Sequence, residues 1–220
     1  MIIVAVDEIN FKKASSIINN LDPKKCMVKI GSVAFNSIGH EIINYAAQSG
    51  FDIFLDLKLH DIPNTVEKTI SGLAILPIKM LTVHTSGGKD MLMAAMQAVS
   101  ETDIKVFGVT TLTSLSDNDT KHIFKRSASE QVNAMLDLAE IAGIDGVVCS
   151  PHELKLVKSR GSFLSITPGI RLQDSNDDQK RVMTPKKAIN LGADYLVIGR
   201  PITTSNNIKK SLNEIYESIQ

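Results

Sequence analysis

Short runs of β-branched and other apolar residues recur along the chain. They lie at Ile2 to Val6, Met27 to Ile30, Asp52 to Leu57, Met80 to Val83, Ile104 to Val109, Gly146 to Val148, Phe163 to Ile166 and Tyr195 to Ile198. Each has the length and composition of a strand. Between them the apolar residues return at helical spacing, as in Ile42, Ile43, Ala46 and Ala47, in Met91, Ala94, Ala95 and Ala98, and in Val132, Met135, Leu136 and Ala139. Strand and helix therefore alternate throughout.

Such alternation predicts parallel strands joined by right-handed crossover helices. A sheet covered in this way is buried on both faces, which accounts for strands that are apolar almost without interruption. Eight βα units within 220 residues suit a single (β/α)8 TIM barrel, an α/β fold that occupies one domain over residues 1–220. A doubly wound open sheet would also alternate. The first strand, however, runs into Val6-Asp7-Glu8 and not into a Gly-x-Gly-x-x-Gly turn, so the dinucleotide signature is missing. No low-complexity tract or linker divides the chain.

The 24 basic residues balance the 24 acidic ones, which argues against a nucleic-acid polymer as partner, since such binders present a net basic face. Lys12-Lys13, Lys24-Lys25 and Lys209-Lys210 read as solvated faces. The two cysteines, Cys26 and Cys149, sit in apolar runs without a second Cys at metal or redox spacing, and are expected to be buried and free. The N-terminus has no basic region before its apolar run and reads as a strand, not a signal peptide. The stretch from Gly72 to Val83 is broken by Pro77 and Lys79 and is too short for a membrane span. A cytoplasmic protein without membrane association is expected. In that compartment Asn118-Asp119-Thr120 is helix-capping chemistry and not a glycosylation site.

In a barrel the chemistry gathers where strands end. Following each run are Asp7, Lys29, Asp56 with Lys58, His84, Thr110, Cys149-Ser150, Thr167-Pro168-Gly169 and Gly199-Arg200. The densest is Phe54-Leu55-Asp56-Leu57-Lys58-Leu59-His60-Asp61. The two-residue period puts Phe54, Asp56 and Lys58 on one face and Ile53, Leu55, Leu57 and Leu59 on the other. By period alone the charged face could be solvated. In a helix-covered sheet it must instead point into the lumen, where an ion pair is costly unless used. Asp61 follows in a loop whose Pro63 suits the first turn of a helix, and Lys29 on another strand could extend the array. Gly199-Arg200 combines close backbone approach with a guanidinium fork, a pairing suited to phosphate. The polar segment from Thr167 through Gln179-Lys180-Arg181 reads as a loop closing over that site, or as a surface insertion. His84 and His60 are read as structural residues. No His, Asp or Glu set has convincing metal-ligand spacing.

Phe54 to Thr65, read as Phe-Leu-Asp-Leu-Lys-Leu-His-Asp-Ile-Pro-Asn-Thr, resembles the signature of the orotidine 5'-phosphate decarboxylase family. The resemblance extends in order to Val4 to Asp7, Val28 to Gly31, Val83 to Gly88, Val109 to Ser114, Thr167 to Arg171 and Val197 to Pro201. The shorter Asp-x-Lys-x-x-Asp element is shared with magnesium-dependent hexulose-phosphate synthases and keto-gulonate-phosphate decarboxylases, and Ile-Pro-Asn-Thr favours the orotidylate branch. The segment from Arg171 to Gln179 is one residue shorter than in bacterial members, and Asp174 stands where Gly is common.

The resemblance implies decarboxylation of orotidylate to uridylate with no cofactor and no metal. Asp56, Lys58 and Asp61 would be catalytic, with Asp56 and Lys58 facing the scissile carboxylate. Asp7 and Lys29 would hold ribose hydroxyls and Thr113 the pyrimidine. Arg200, the Gly199 backbone and Gln179 would hold the phosphate, with Arg171 on the closing loop and Pro168 and Ile62 as further substrate contacts. Asp61 and Thr65 would reach into a neighbouring subunit's site, which implies a homodimer. The rival functions are a metal-dependent sugar-phosphate aldolase or decarboxylase on the same barrel, and a non-catalytic phosphate-binding barrel.

Overall fold

A computed structural model describes residues 1–161, 163–171 and 182–220. Its strands are β1 (Ile2–Val6), β2 (Cys26–Gly31), β3 (Ile53–Leu59), β4 (Met80–His84), β5 (Lys105–Val109), β6 (Gly146–Val148), β7 (Leu164–Thr167) and β8 (Tyr195–Ile198). Neighbours pair in parallel and in sequence order, and β8 returns to β1 through Ile2↔Leu196 and Val4↔Ile198 to close the barrel. The eight apolar runs all form strands, with small shifts at their ends.

Helices follow the strands and turn their apolar stripes inward. Ile42, Ile43 and Ala46 are the buried positions of the helix His40–Gln48, and Met91, Leu92 and Ala95 those of Lys89–Ala98. Val132, Met135, Leu136 and Ala139 are buried in Ala128–Ala142, as their spacing predicts. Local capping chemistry sets several helix starts. Ser116 and Asp119 form a reciprocal capping box at one, and Ser127 and Glu130 at the next, each satisfying two otherwise orphaned N–H groups. The triplet Asn118-Asp119-Thr120 is thus accounted for by the first of these caps. Both cysteines are buried and free, and among the described residues no helix is long and apolar enough to cross a membrane.

Two apolar layers result from the strand period. Outward residues such as Ile2, Val4, Val28, Ile30, Ile53 and Leu55 pack against the helices. Inward residues Ile3, Met27, Phe54, Met80, Phe107 and Ile166 form a second cluster that fills the lower lumen. Phe107 anchors it, meeting Phe54 and Tyr195 edge-on at 6.4 and 6.2 Å between ring centroids, a favoured aromatic geometry. The plug gives a rigid apolar floor. Above it the inward positions change character.

Candidate active site

One strand period above the floor, Met27 is succeeded by Lys29, Phe54 by Asp56 and Met80 by Thr82. The same alternation that aims the apolar plug inward therefore aims these polar side chains into the upper lumen. The register sets Ala5 beside Lys29 and Gly31 beside Asp56, so small residues flank the charged ones and leave them space.

Lys29 and Asp56 are each only 7% exposed. The Lys29 Nζ lies 3.0 Å from Asp7 Oδ1 and 3.5 Å from Asp56 Oδ2. The Lys58 Nζ donates to both Asp56 oxygens at 2.8 Å. The buried Thr82 hydroxyl donates to Asp56 Oδ1 at 3.0 Å. Charge thus alternates from Asp7 through Lys29 and Asp56 to Lys58; Lys29 extends the array as expected, and Asp7 joins it. Burial opposes ionisation of Asp56, but Lys29, Lys58 and the hydrogen bonds from Lys58 and Thr82 outweigh it and hold its carboxyl below the ordinary value.

The backbone at this point departs from a regular strand. Lys58 has φ +52°, in the left-handed region, at a cost of about 1–3 kcal/mol for a non-glycine residue. The pairing with β4 slips here: Leu55 faces Leu81 and Leu59 faces Val83, so β3 spends four residues where β4 spends two. In the gap the Lys58 N–H donates to the Thr82 side chain at 2.9 Å. At the end of β4, His84 packs its ring 5.3 Å from that of His60. Burial, then His60 and Lys58, lower its pKa against the opposing pull of Asp56.

Asp7, Lys29, Asp56 and Lys58 border a cavity of about 550 Å³. Of the residues singled out from sequence, Asp7, Lys29, Asp56, Lys58, Thr113, Pro168, Arg171, Gly199 and Arg200 line it together. Arg171 is 9% exposed and its Nη1 donates to the Ile170 carbonyl at 2.9 Å. A bridge between Ile170 and Met183 fixes the backbone beside it. Gln179 and the remainder of the expected closing loop lie outside the described residues. Asp61, Ile62 and Thr65 do not line the cavity of their own chain. They are exposed at the start of the helix Pro63–Leu73, where Asp61 accepts a hydrogen bond from the Ile62 N–H at 2.7 Å.

Sequence reasoning missed Thr82, Thr111 and Glu8. Glu8 and Thr111 line the cavity, and the buried Thr111 hydroxyl has no hydrogen-bond partner among the described residues. Thr82 carried a signal, a polar residue inside the apolar run Met-Leu-Thr-Val, but its partners depend on a slip that no pattern announces. Among the described residues no group of three or more His, Cys, Asp or Glu is arranged to hold a metal ion.

Comparison with known proteins places this geometry in a family. An orotidine 5'-phosphate decarboxylase of Saccharophagus degradans is 42% identical over 220 residues, covering 97% of this chain and 92% of its own. One of Wolbachia pipientis subsp. Culex pipiens is 45% identical over 221 residues, covering 99% and 98%. The crystal structure of orotidine 5'-phosphate decarboxylase from Lactobacillus acidophilus superposes with a TM-score of 0.88 at 36% identity, covering 100% of this chain and 98% of that one. A family model matches residues 1–215, and by that match and these identities the chain belongs to the orotidine 5'-phosphate decarboxylase / HUMPS family.

Proposed function

We propose that this chain is a carboxy-lyase that converts orotidine 5'-phosphate to uridine 5'-phosphate, the last step of de novo pyrimidine biosynthesis, without a cofactor. The observation that carries the reading is the Asp7, Lys29, Asp56, Lys58 array in a cavity that Gly199 and Arg200 also line. A volume near 550 Å³ is within the ordinary range for a small-molecule site. The full-length relatives named as orotidine 5'-phosphate decarboxylases support this branch of the family over its sugar-phosphate branch.

In the proposed complex, Arg200, Arg171 and the Gly199 and Pro168 backbone take the phosphate end, Thr113 the pyrimidine, and Asp7 with Lys29 the ribose hydroxyls. The scissile carboxylate then faces Asp56. Two carboxylates about 4 Å apart repel by ~4 kcal/mol at an effective dielectric of ~20. That is worth roughly a thousandfold in rate, against accelerations of up to ~10¹⁷ known for enzymes. Repulsion alone is therefore insufficient. The larger share falls to stabilising the carbanion left as carbon dioxide departs, for which Lys58 is the adjacent cation and the proton donor to the vacated carbon. Binding energy at the distant phosphate contributes to the rate where it is spent on orienting the reacting end.

The proposal extends to a cytoplasmic homodimer of one catalytic domain per chain, in which the exposed Asp61, Ile62 and Thr65 complete the partner's cavity.

Loss of orotidylate ultraviolet absorbance on adding purified protein, with and without EDTA, tests the reading. EDTA-insensitive conversion to uridylate is expected, and Lys58→Ala should abolish turnover while still binding uridine 5'-phosphate. No conversion, or conversion that requires a metal, would overturn it.

A further inference from the structure

We infer that Thr82 is a positioning residue for the Asp56 and Lys58 pair, fixing through one hydroxyl both the carboxylate of the first and the backbone of the second. The inference rests on the decarboxylase reading above for its kinetic consequence, and on geometry alone for its structural one.

A threonine hydroxyl has one proton and lone pairs to offer. Here the proton goes to Asp56 Oδ1 at 3.0 Å and a lone pair receives the Lys58 N–H at 2.9 Å. Thr82 is fully buried, so neither contact competes with solvent. The second contact stands where the strand ladder fails, between the pairs Leu55↔Leu81 and Leu59↔Val83. A regular parallel strand would offer the Lys58 N–H a backbone carbonyl. The slip removes that acceptor, and a buried N–H left without one is rarely tolerated. Thr82 supplies the replacement.

The left-handed conformation of Lys58 is thereby held by a side chain on the neighbouring strand. That conformation lets the Lys58 side chain fold back so that its Nζ meets both oxygens of Asp56, two residues earlier. The first contact holds Asp56 Oδ1 from a fully buried side chain. Both members of the pair are therefore referred to one rigid point on β4. Sub-ångström definition of reacting groups is where positioned enzymes gain much of their rate, while substrate affinity is carried by residues elsewhere in the cavity.

The test compares the parent with Thr82→Val, which keeps the shape and removes the hydroxyl, and Thr82→Ser, which keeps it. Four quantities are read on the full chain: kcat and KM for orotidylate, the dissociation constant for uridine 5'-phosphate, and the titration of the Asp56 carboxylate by ¹³C NMR. Thr82→Val should lower kcat by about tenfold or more, the scale of one lost positioning contact, with nucleotide affinity within about twofold, and Thr82→Ser should recover most of the loss. In Thr82→Val the Asp56 carboxylate should titrate at higher pH than in the parent. An unchanged kcat in Thr82→Val, equal losses in both variants, or affinity falling in step with kcat would overturn the inference. If the parent does not consume orotidylate, the functional reading fails. The titration then decides alone: an upward move retains Thr82 as the holder of Asp56, and no move rejects it.

Discussion

At Gly31 a Cβ would stand 2.8 Å from the Lys29 Nζ and 2.9 Å from Asp7 Oδ1, closer than those two atoms stand to each other. Gly31→Ala is therefore expected to spread this ion pair while leaving the apolar core untouched. Steady-state kinetics beside a thermal scan should show turnover reduced by about tenfold with little change in Tm. Asp56 governs a different observable. Its folded pKa lies below the ordinary carboxylate value, because Lys29, Lys58 and the Lys58 and Thr82 hydrogen bonds outweigh its burial. Its ionisation thus contributes stability that is complete above the unfolded value and is lost as pH falls through the folded one. Asp56→Asn, which leaves two ammoniums with no counter-charge between them, should cost about 3 kcal/mol at neutral pH. Urea titrations should show the gap between parent and variant narrowing below the unfolded value. At this scale the charges were legible, because Lys29 and Asp56 interrupt runs that would otherwise be wholly apolar. Thr82 showed only as a polar residue in an apolar run, and its role did not, since its two partners lie 24 and 26 positions away in sequence.

The strands were legible for a simple reason: a parallel strand under helices is apolar on both faces, and eight such runs stand clear of their surroundings. The slip between β3 and β4 was not, because Leu57 and Leu59 still pack toward the outer core and the alternation of residue types is undisturbed by it. The three-residue strand β6 shows a similar gap between pattern and cause. A Cβ at Gly146 would lie 2.4 Å from the Leu164 carbonyl oxygen and 2.5 Å from the Phe107 ring, so β6 can approach β7 only as glycine. Gly146→Ala forces backbone apart and tilts the central aromatic of the floor. It is expected to cost about 3 kcal/mol or more, at the upper end for overpacked cores, as a lowered urea midpoint with an unchanged slope. Beneath the barrel, Asp194 accepts from the Ser165 N–H at 2.7 Å and its hydroxyl at 2.8 Å and pairs with Lys158. Asp194→Ala would strand the buried Ser165 donors, for a loss of about 1–3 kcal/mol.

For the molecule as a whole, the proposed dimer makes a prediction that no single chain can satisfy. Lys58→Ala and Asp61→Ala variants, each inactive alone, should restore activity when dissociated and reassociated together, because a mixed pair contains one cavity with both residues intact. At equal proportions the recovered rate should approach about a quarter of the parent's for a symmetric dimer, and sedimentation should give twice the 24.0 kDa of one chain. Activity that stays absent on mixing would place Asp61 in its own chain's site or outside the chemistry. The proposed assembly rests on resemblance alone: Asp61, Ile62 and Thr65 are exposed positions, and neither their spacing nor their polarity implies a partner. The buried cysteines have a consequence of another kind. Burial raises the Cys26 thiol to about 12 and pushes Cys149 up as well. Both are thus nearly inert as nucleophiles while the barrel is shut. One opens β2 at the floor end and the other follows β6 at the mouth. The wild-type chain therefore carries two built-in clocks, and the order in which a thiol reagent reaches them reports which end of the barrel lets go first.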